Sequence, residues 1–266
     1  MTWRTSSGAV ELRPAAAEAE PSDHTFPDWR FAPNIGGHPD VYQLENEALD
    51  RAGHVLAALR RLAPWAGQTI VDLGCGTGFW LPRYAADAAR VIGIEPDPRV
   101  RAQALRASEG LRAAEGLPGA PRIEVLAGSA EHTRLPDDSV DVVHARFAYF
   151  FPPGTDAGLT EVLRVLRPGG RLVAIDNDYR WGEFAEMLSA ASRRPTSDVA
   201  ATVDDWWRAR GATRHEIRSE LRFQSRADLA AVLHIEFPAR VAAGWLARHP
   251  AATGLTYGYA LFEVCA

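Results

Sequence analysis

The sequence predicts an α/β fold with a doubly wound, mostly parallel sheet, and three observations carry that prediction. Short apolar runs alternate with stretches of helical periodicity from about residue 69 to residue 176. The first run, Ile70-Val71-Asp72-Leu73, breaks into glycines at every second position, Gly74, Gly76 and Gly78, and then into helix-forming sequence. That is the layout of a strand, a tight turn and a helix. The second run, Val91-Ile92-Gly93-Ile94, ends in an acid, Glu95, 21 residues after Gly74.

Taken in order, residues 1–27 are rich in Ala, Glu, Pro and Ser without periodicity and read as a loosely ordered leader. Trp29 to Pro39 is aromatic and Gly/Pro-rich, an irregular stretch. Leu44, Ala48, Val55, Leu59 and Leu62 then stand at helical spacing, predicting one amphipathic helix over residues 41–63. Residues 28–66 form a helical segment ahead of the sheet, with Tyr42 and Gly36-Gly37-His38 as candidate lid residues, although packing or a plain loop explains them too.

Within the core, strand 69–73 is followed by a helix at 79–89, where Pro82 is tolerated in the first turn. Strand 90–95 leads to a helix at about 98–115, and strand 122–127 leads through a loop at 128–139 to strand 140–145. A helix at 156–166 stops at Arg167-Pro168-Gly169-Gly170, and strand 171–176 closes the core of 67–176. Residues 177–266 add helices at 180–194 and 198–211, a strand at 215–224, a helix from Arg226 broken by Pro238, and a last strand at 256–264.

Chemistry enters at the glycine turn. Glycines at alternate positions allow positive φ and leave no Cβ to hold a ligand off the main chain. Dinucleotide folds use G-x-G-x-x-G, whereas the spacing here is G-x-G-x-G. A carboxylate at the tip of the second strand can accept both hydroxyls of a ribose, at roughly 1.5–3 kcal/mol for each charge-assisted bond. The expected ligand is a nucleoside and not a dinucleotide.

Four segments at these separations resemble the class I S-adenosylmethionine-dependent methyltransferases, in the branch that includes ubiquinone/menaquinone-biosynthesis-type enzymes. They are VDLGCGTG (71–78), GIEPD (93–97), GSAEHTRLPDDSVDVVHARF (128–147) and LRVLRPGGRLVAID (163–176). The resemblance implies a Rossmann-like sheet of seven strands, one of them antiparallel. It implies S-adenosylmethionine as cofactor and S-adenosylhomocysteine as product. On it, Gly74, Gly76 and Gly78 pack against the methionine part, Glu95 holds the ribose, Pro96 lies on the adenine, and Asp72 supports the loop and acts through water on the methionine ammonium. The segment that usually begins Gly-Asp-Ala is here Gly128-Ser129-Ala130, which leaves Ser129, Ala130 and Glu131 as the adenine-side set. Arg146 either stacks near the cofactor or faces solvent.

Methyl transfer from a sulfonium asks the protein mainly to position and to exclude water. A base matters only for an acceptor whose proton must leave early. His144 is the one histidine in the motif-bearing strands, readable equally as base or as core residue. Asp176 ends the fifth strand beside the expected methyl position. Asp176-Asn177-Asp178 is similar to the Mg²⁺ site of catechol-type members, but His144-Ala145-Arg146 stand where their partner aspartate would be, so no metal is expected. Aromatics after the strand ends, including Phe147, Tyr149, Phe150, Phe151, Tyr179, Trp181, Trp206 and Trp207, suit an apolar or aromatic small-molecule acceptor, with core packing as the plainer reading. His215, His234 and Glu236 lack metal-ligand spacing.

A net charge of −5 offers no general attraction to nucleic acid. All 29 basic residues are arginine, which excludes Schiff-base chemistry and the P-loop lysine. Two cysteines, Cys75 and Cys265, suggest a reducing compartment, and no apolar run has membrane-spanning length. The expected protein is a cytoplasmic monomer or homodimer without a membrane partner. A nicotinamide dehydrogenase and a non-catalytic nucleoside-binding subunit are the competing classes.

Overall fold

The computed structural model describes residues 26–112, 122–192 and 195–266. The leader lies almost wholly outside these residues, as does the end of the helix expected over 98–115. Three helices precede the sheet: α1 (Pro33–Gly37), α2 (Pro39–Ala48) and α3 (His54–Leu62). The core follows as β1 (Thr69–Leu73), α4 (Leu81–Ala85), β2 (Arg90–Ile94), α5 (Pro98–Arg112), β3 (Arg122–Leu126), β4 (Val140–Arg146), α6 (Asp156–Val165) and β5 (Leu166–Asn177). Then come α7 (Glu183–Ala191), α8 (Thr196–Arg208), β6 (Thr213–Arg222), α9 (Arg226–Glu236), α10 (Ala239–Arg248) and β7 (Gly254–Cys265).

The seven strands form one sheet in the order β3-β2-β1-β4-β5-β7-β6, with β7 antiparallel to both neighbours and the other pairs parallel. The central strands are apolar on both faces because helices cover both; Ile70, Leu73, Val91, Ile94, Val143 and Val173 are all buried. Strand order reverses between β1 and β4, and in such sheets ligands lie beyond the carboxyl ends of the strands at that point.

Register decides which side chains can meet. Asp72 is opposite His144, His144 is opposite Val173, and Asn177 is opposite Tyr259. Since successive side chains alternate, Asp72, His144, Arg146, Asn177, Tyr257 and Tyr259 share one face of the sheet. Asp176 points to the other, with Ala260 and Phe262.

Three local expectations are corrected. The single helix expected over 41–63 is two, because Gly53 takes φ +75° and the Asp50 carboxylate accepts N–H bonds from Val55 and Leu56 at 2.8 and 3.2 Å, starting α3 afresh. The helix expected over 79–89 is short because the chain behind it bonds back to the approach to β1, Gly67 N–H to Asp87 at 2.7 Å and Ala89 N–H to Gln68 at 3.0 Å. Leu166 already pairs with Val140, and pairing resumes at Arg171 with Val142, so the Pro-Gly-Gly stop is an irregularity inside β5. No helix among the described residues is long and apolar enough to cross a membrane.

Candidate active site

The turn after β1 takes its shape from its glycines. Gly74, Gly76 and Gly78 have φ of +70°, +58° and +82°. A Cβ on Gly74 would lie 2.4 Å from that of Ala148, and one on Gly78 would lie 3.1 Å from Ala104 Cα. The turn is tied to β2 through Gly74 and Cys75 N–H groups, which both donate to the Ile94 carbonyl at 2.8 and 3.0 Å.

Glu95 closes β2 and is 7% exposed. Its carboxylate accepts from Gly76 N–H at 3.0 Å and Asp97 N–H at 2.9 Å. Burial raises its pKa to about 7 against the lowering effect of those two bonds. Pro96 is half-buried beside it, and Arg101 donates to the carbonyls of Glu95 and Pro96 at 2.9 and 3.1 Å. The tip of β2 is therefore held from both sides.

Asp72 is fully buried, and neither carboxylate oxygen has a hydrogen-bond partner among the described residues. Burial raises its pKa, opposed by Arg146, whose Nε lies 3.9 Å away. Of the two readings of Arg146, the structure shows the inward one: its guanidinium sits 4.3 Å from the centroid of the Trp80 ring. A buried acid with unused oxygens costs free energy unless something donates to it. The turn, Asp72 and Glu95 thus offer what an adenosyl ligand with an ammonium group needs.

In the loop after β3, Ser129 and Ala130 are buried, and the Ser129 hydroxyl has no partner among the described residues. Glu131 accepts from the Tyr149 hydroxyl at 2.8 Å, and its N–H donates to Asp28 at 3.3 Å. Asp28, Glu131 and His132 place ligand atoms within 4.8 Å of one another. Their bonds fasten the start of the described chain to this loop.

The two catalytic candidates, His144 and Asp176, are both buried. His144 is fully buried, its Nδ1 is 3.2 Å from the Tyr84 hydroxyl, and Trp65 meets it edge-on at 5.5 Å. Burial, then Arg146, lowers its pKa to about 3. These contacts are those of a neutral core histidine. Asp176 accepts from Asn177 N–H at 2.7 Å and from the Tyr179 hydroxyl at 3.2 Å, and burial raises its pKa to about 7. Asp178 is held by Arg214 at 3.1 Å. Asp176 and Asp178 thus serve separate partners.

The aromatic set divides. Phe150 and Trp207 pack with Phe262 in the core, the last two stacked at 5.2 Å. Phe147 instead faces Tyr257 and Tyr259 across 6.3 and 6.1 Å. Phe147 and Tyr149 have φ of +49° and +56°, left-handed backbone that bulky residues seldom adopt, so the strand-end loop after β4 carries strain. Sequence reasoning did not single out Tyr257 and Tyr259. The alternation of the two tyrosines along β7 was the available signal, but the alternation alone did not say which face of the sheet they would meet.

Above the glycines lies α1. A Cβ on Gly76 would be 3.1 Å from Ile35 Cδ1, and the neighbouring Asn34 side chain donates to Glu236 at 2.8 Å.

Residues 71–174 match the family model of the methyltransferase domain. The chain is 30% identical over 191 residues to malonyl-[acyl-carrier protein] O-methyltransferase of Methylococcus capsulatus, covering 71% of this chain and 61% of that one. It is 29% identical over 198 residues to the ubiquinone/menaquinone biosynthesis C-methyltransferase UbiE of a Caulobacter strain, covering 72% and 77%. The crystal structure of the Bacillus subtilis YcgJ protein superposes with a TM-score of 0.54 at 18% identity over 80% of this chain and 97% of that one, a likeness of fold. The chain spans 61% of the length of the Methylococcus relative and about half that of several others it matches.

Proposed function

We propose that the protein is an S-adenosylmethionine-dependent methyltransferase that acts on an O, N or C nucleophile of a small, aromatic or apolar molecule in the cytoplasm, as a monomer or homodimer. The observation that carries the reading is the conjunction of a fully buried Asp72, whose oxygens accept no hydrogen bond from the described residues, with three left-handed glycines and the carboxylate of Glu95 at the neighbouring strand tip. In this reading Asp72 takes the methionine ammonium, and Glu95 the ribose. Pro96, Ser129, Ala130 and Glu131 border the adenine, and Arg146 balances the charge of Asp72. When bound, the sulfonium supplies an electrophilic methyl group, and the carbon–sulfur bonding pair stays on sulfur.

The chain's own work is orientation and exclusion of water. Phe147, Tyr257 and Tyr259 supply an aromatic wall, whose faces also favour a cationic sulfonium. His144 is neutral and enclosed, which supports a packing role for it in place of the base. The test is calorimetric. Glu95→Ala should weaken S-adenosylhomocysteine binding about tenfold, in line with roughly 1.5–3 kcal/mol of ribose bonds partly replaced by water. Unchanged affinity would refute the site, and tighter binding of a nicotinamide dinucleotide would favour the dehydrogenase class.

A further inference from the structure

The loop after β3 brings two ligating side chains, Glu131 and His132, against a third, Asp28, from the segment ahead of α1. One ligand atom from each lies within 4.8 Å of the other two. The loop is closed on itself, since Ser129 and His132 exchange backbone N–H bonds at 3.1 and 3.3 Å. It is anchored just beyond, where the N–H and the hydroxyl of Thr133 both donate to Glu161 at 2.9 and 2.6 Å. The segment that carries Asp28 is held as well. Phe26 is buried with the Arg134 guanidinium 5.0 Å from its ring centroid, and Trp29 N–H donates to the Phe26 carbonyl at 3.2 Å. Both sides of the cluster are therefore set before any ligand arrives.

What points to a ligand is the state of Asp28. Its side chain is 4% exposed, yet Oδ1 accepts no hydrogen bond from the described residues. Its Oδ2 takes the Glu131 N–H at 3.3 Å. The group that faces Oδ1 is the His132 ring, with Nδ1 at 3.7 Å. That is too far for a hydrogen bond, but it is near the roughly 3.4 Å between two ligands of a tetrahedral ion whose bonds are about 2.0–2.2 Å long. Glu131 is oriented from behind: Oε1 accepts from the Tyr149 hydroxyl at 2.8 Å, and that hydroxyl accepts in turn from Gly158 N–H at 3.1 Å. Gly158 leaves the room for this, because a Cβ there would lie 2.2 Å from the Tyr149 ring. Outer hydrogen bonds of this kind fix the carboxylates that ligate metals.

We propose that Asp28, Glu131 and His132 bind a zinc ion, with water as the fourth ligand on the side where His132 is exposed. One imidazole nitrogen with two carboxylates suits zinc, whereas Mg²⁺ and Ca²⁺ favour shells made of oxygen. The ion clasps the segment ahead of α1 to the loop after β3. This goes beyond the methyltransferase reading and does not depend on it, since no step of methyl transfer runs through the ion.

The test uses zinc chloride alone, on the full chain without a purification tag, stripped with a chelator and dialysed. Calorimetric titration should show one ion per chain, bound in the micromolar range or tighter. Asp28→Asn and His132→Gln should each weaken binding by at least about tenfold. Cobalt in place of zinc should give the visible bands of a four- or five-coordinate site in the wild type and in neither variant. Excess zinc should raise the unfolding midpoint of the wild type by several degrees and leave those of the variants where they are. The His132 side chain is 55% exposed, so its replacement disturbs little packing, and a misfolded Asp28→Asn would not end the test. Absence of binding to the wild type would overturn the site. So would equal binding by the wild type and a folded variant, which would assign the ion to exposed histidines elsewhere. The titrations are run without the methyl donor, so neither result bears on the methyltransferase reading.

Discussion

At the scale of single residues, the site is governed by carboxyls kept out of water. Glu95 ionises near pH 7 in the folded chain and near 4.5 in the unfolded one. Between those values the folded state holds the extra proton, so stability falls as pH rises from 4.5 to about 7 and is level above that. Ligand binding runs the opposite way, because ribose hydroxyls donate to the ionised form. S-adenosylhomocysteine affinity should therefore weaken as pH is lowered from 8 to 6, by up to about tenfold per unit below pH 7, and Glu95→Gln should flatten that dependence in a pH-series titration. His144 makes the contrasting case. Enclosed by Trp65 and Tyr84, it should cost about 2–4 kcal/mol of stability when truncated to Ala, by the reckoning for large buried side chains. Denaturant unfolding and calorimetry on His144→Ala should show that loss with cofactor affinity within twofold. A collapse of turnover at unchanged stability would restore the base. The sequence did bring His144 and Asp176 to notice, because polar residues in apolar strands are visible in one dimension. It could not show that one is shut inside the core and that the other points to the opposite face of the sheet.

At the scale of elements, what was legible was whatever depends on local chemistry. The strand–glycine–helix junction, the acid ending β2 and the Pro-Gly-Gly stop after α6 each announce themselves within a few residues. The division of α2 from α3 does not, because its cause is a long-range one. Asp50 ends one helix region and starts the next by accepting N–H groups of Val55 and Leu56, and it also receives the hydroxyl of Ser219 from β6 at 3.3 Å. The hydrophobic spacing runs across that break, so periodicity alone reads one helix. Asp50→Ala should cost about 1–2 kcal/mol in denaturant unfolding, the usual range for a lost helix-starting acceptor. The cost should carry little change in the far-ultraviolet spectrum, since both helices keep their apolar faces. The bond from Asn34 to Glu236 was illegible for the same reason, because 202 residues separate its members and only the packing of the first helices on α9 unites them.

At the scale of the whole molecule, the sheet order places the switch point and the aromatic wall at one end, and ligand binding should be felt globally. S-adenosylhomocysteine at about a hundredfold its Kd should add roughly 2.7 kcal/mol of stability. For a chain of this size that is an upward shift of about 5–10 °C in the unfolding midpoint, measurable by scanning calorimetry. No shift would mean that the folded chain does not take the ligand. One further result follows from the short helix α1. Ile35 rests on the glycine turn while Asn34 beside it grips Glu236, so adjacent residues of one short helix cover the turn after β1 and hold the end of α9. Neither hold can be released by lifting that helix without loosening the other, which couples the first turn of the core to the C-terminal helices.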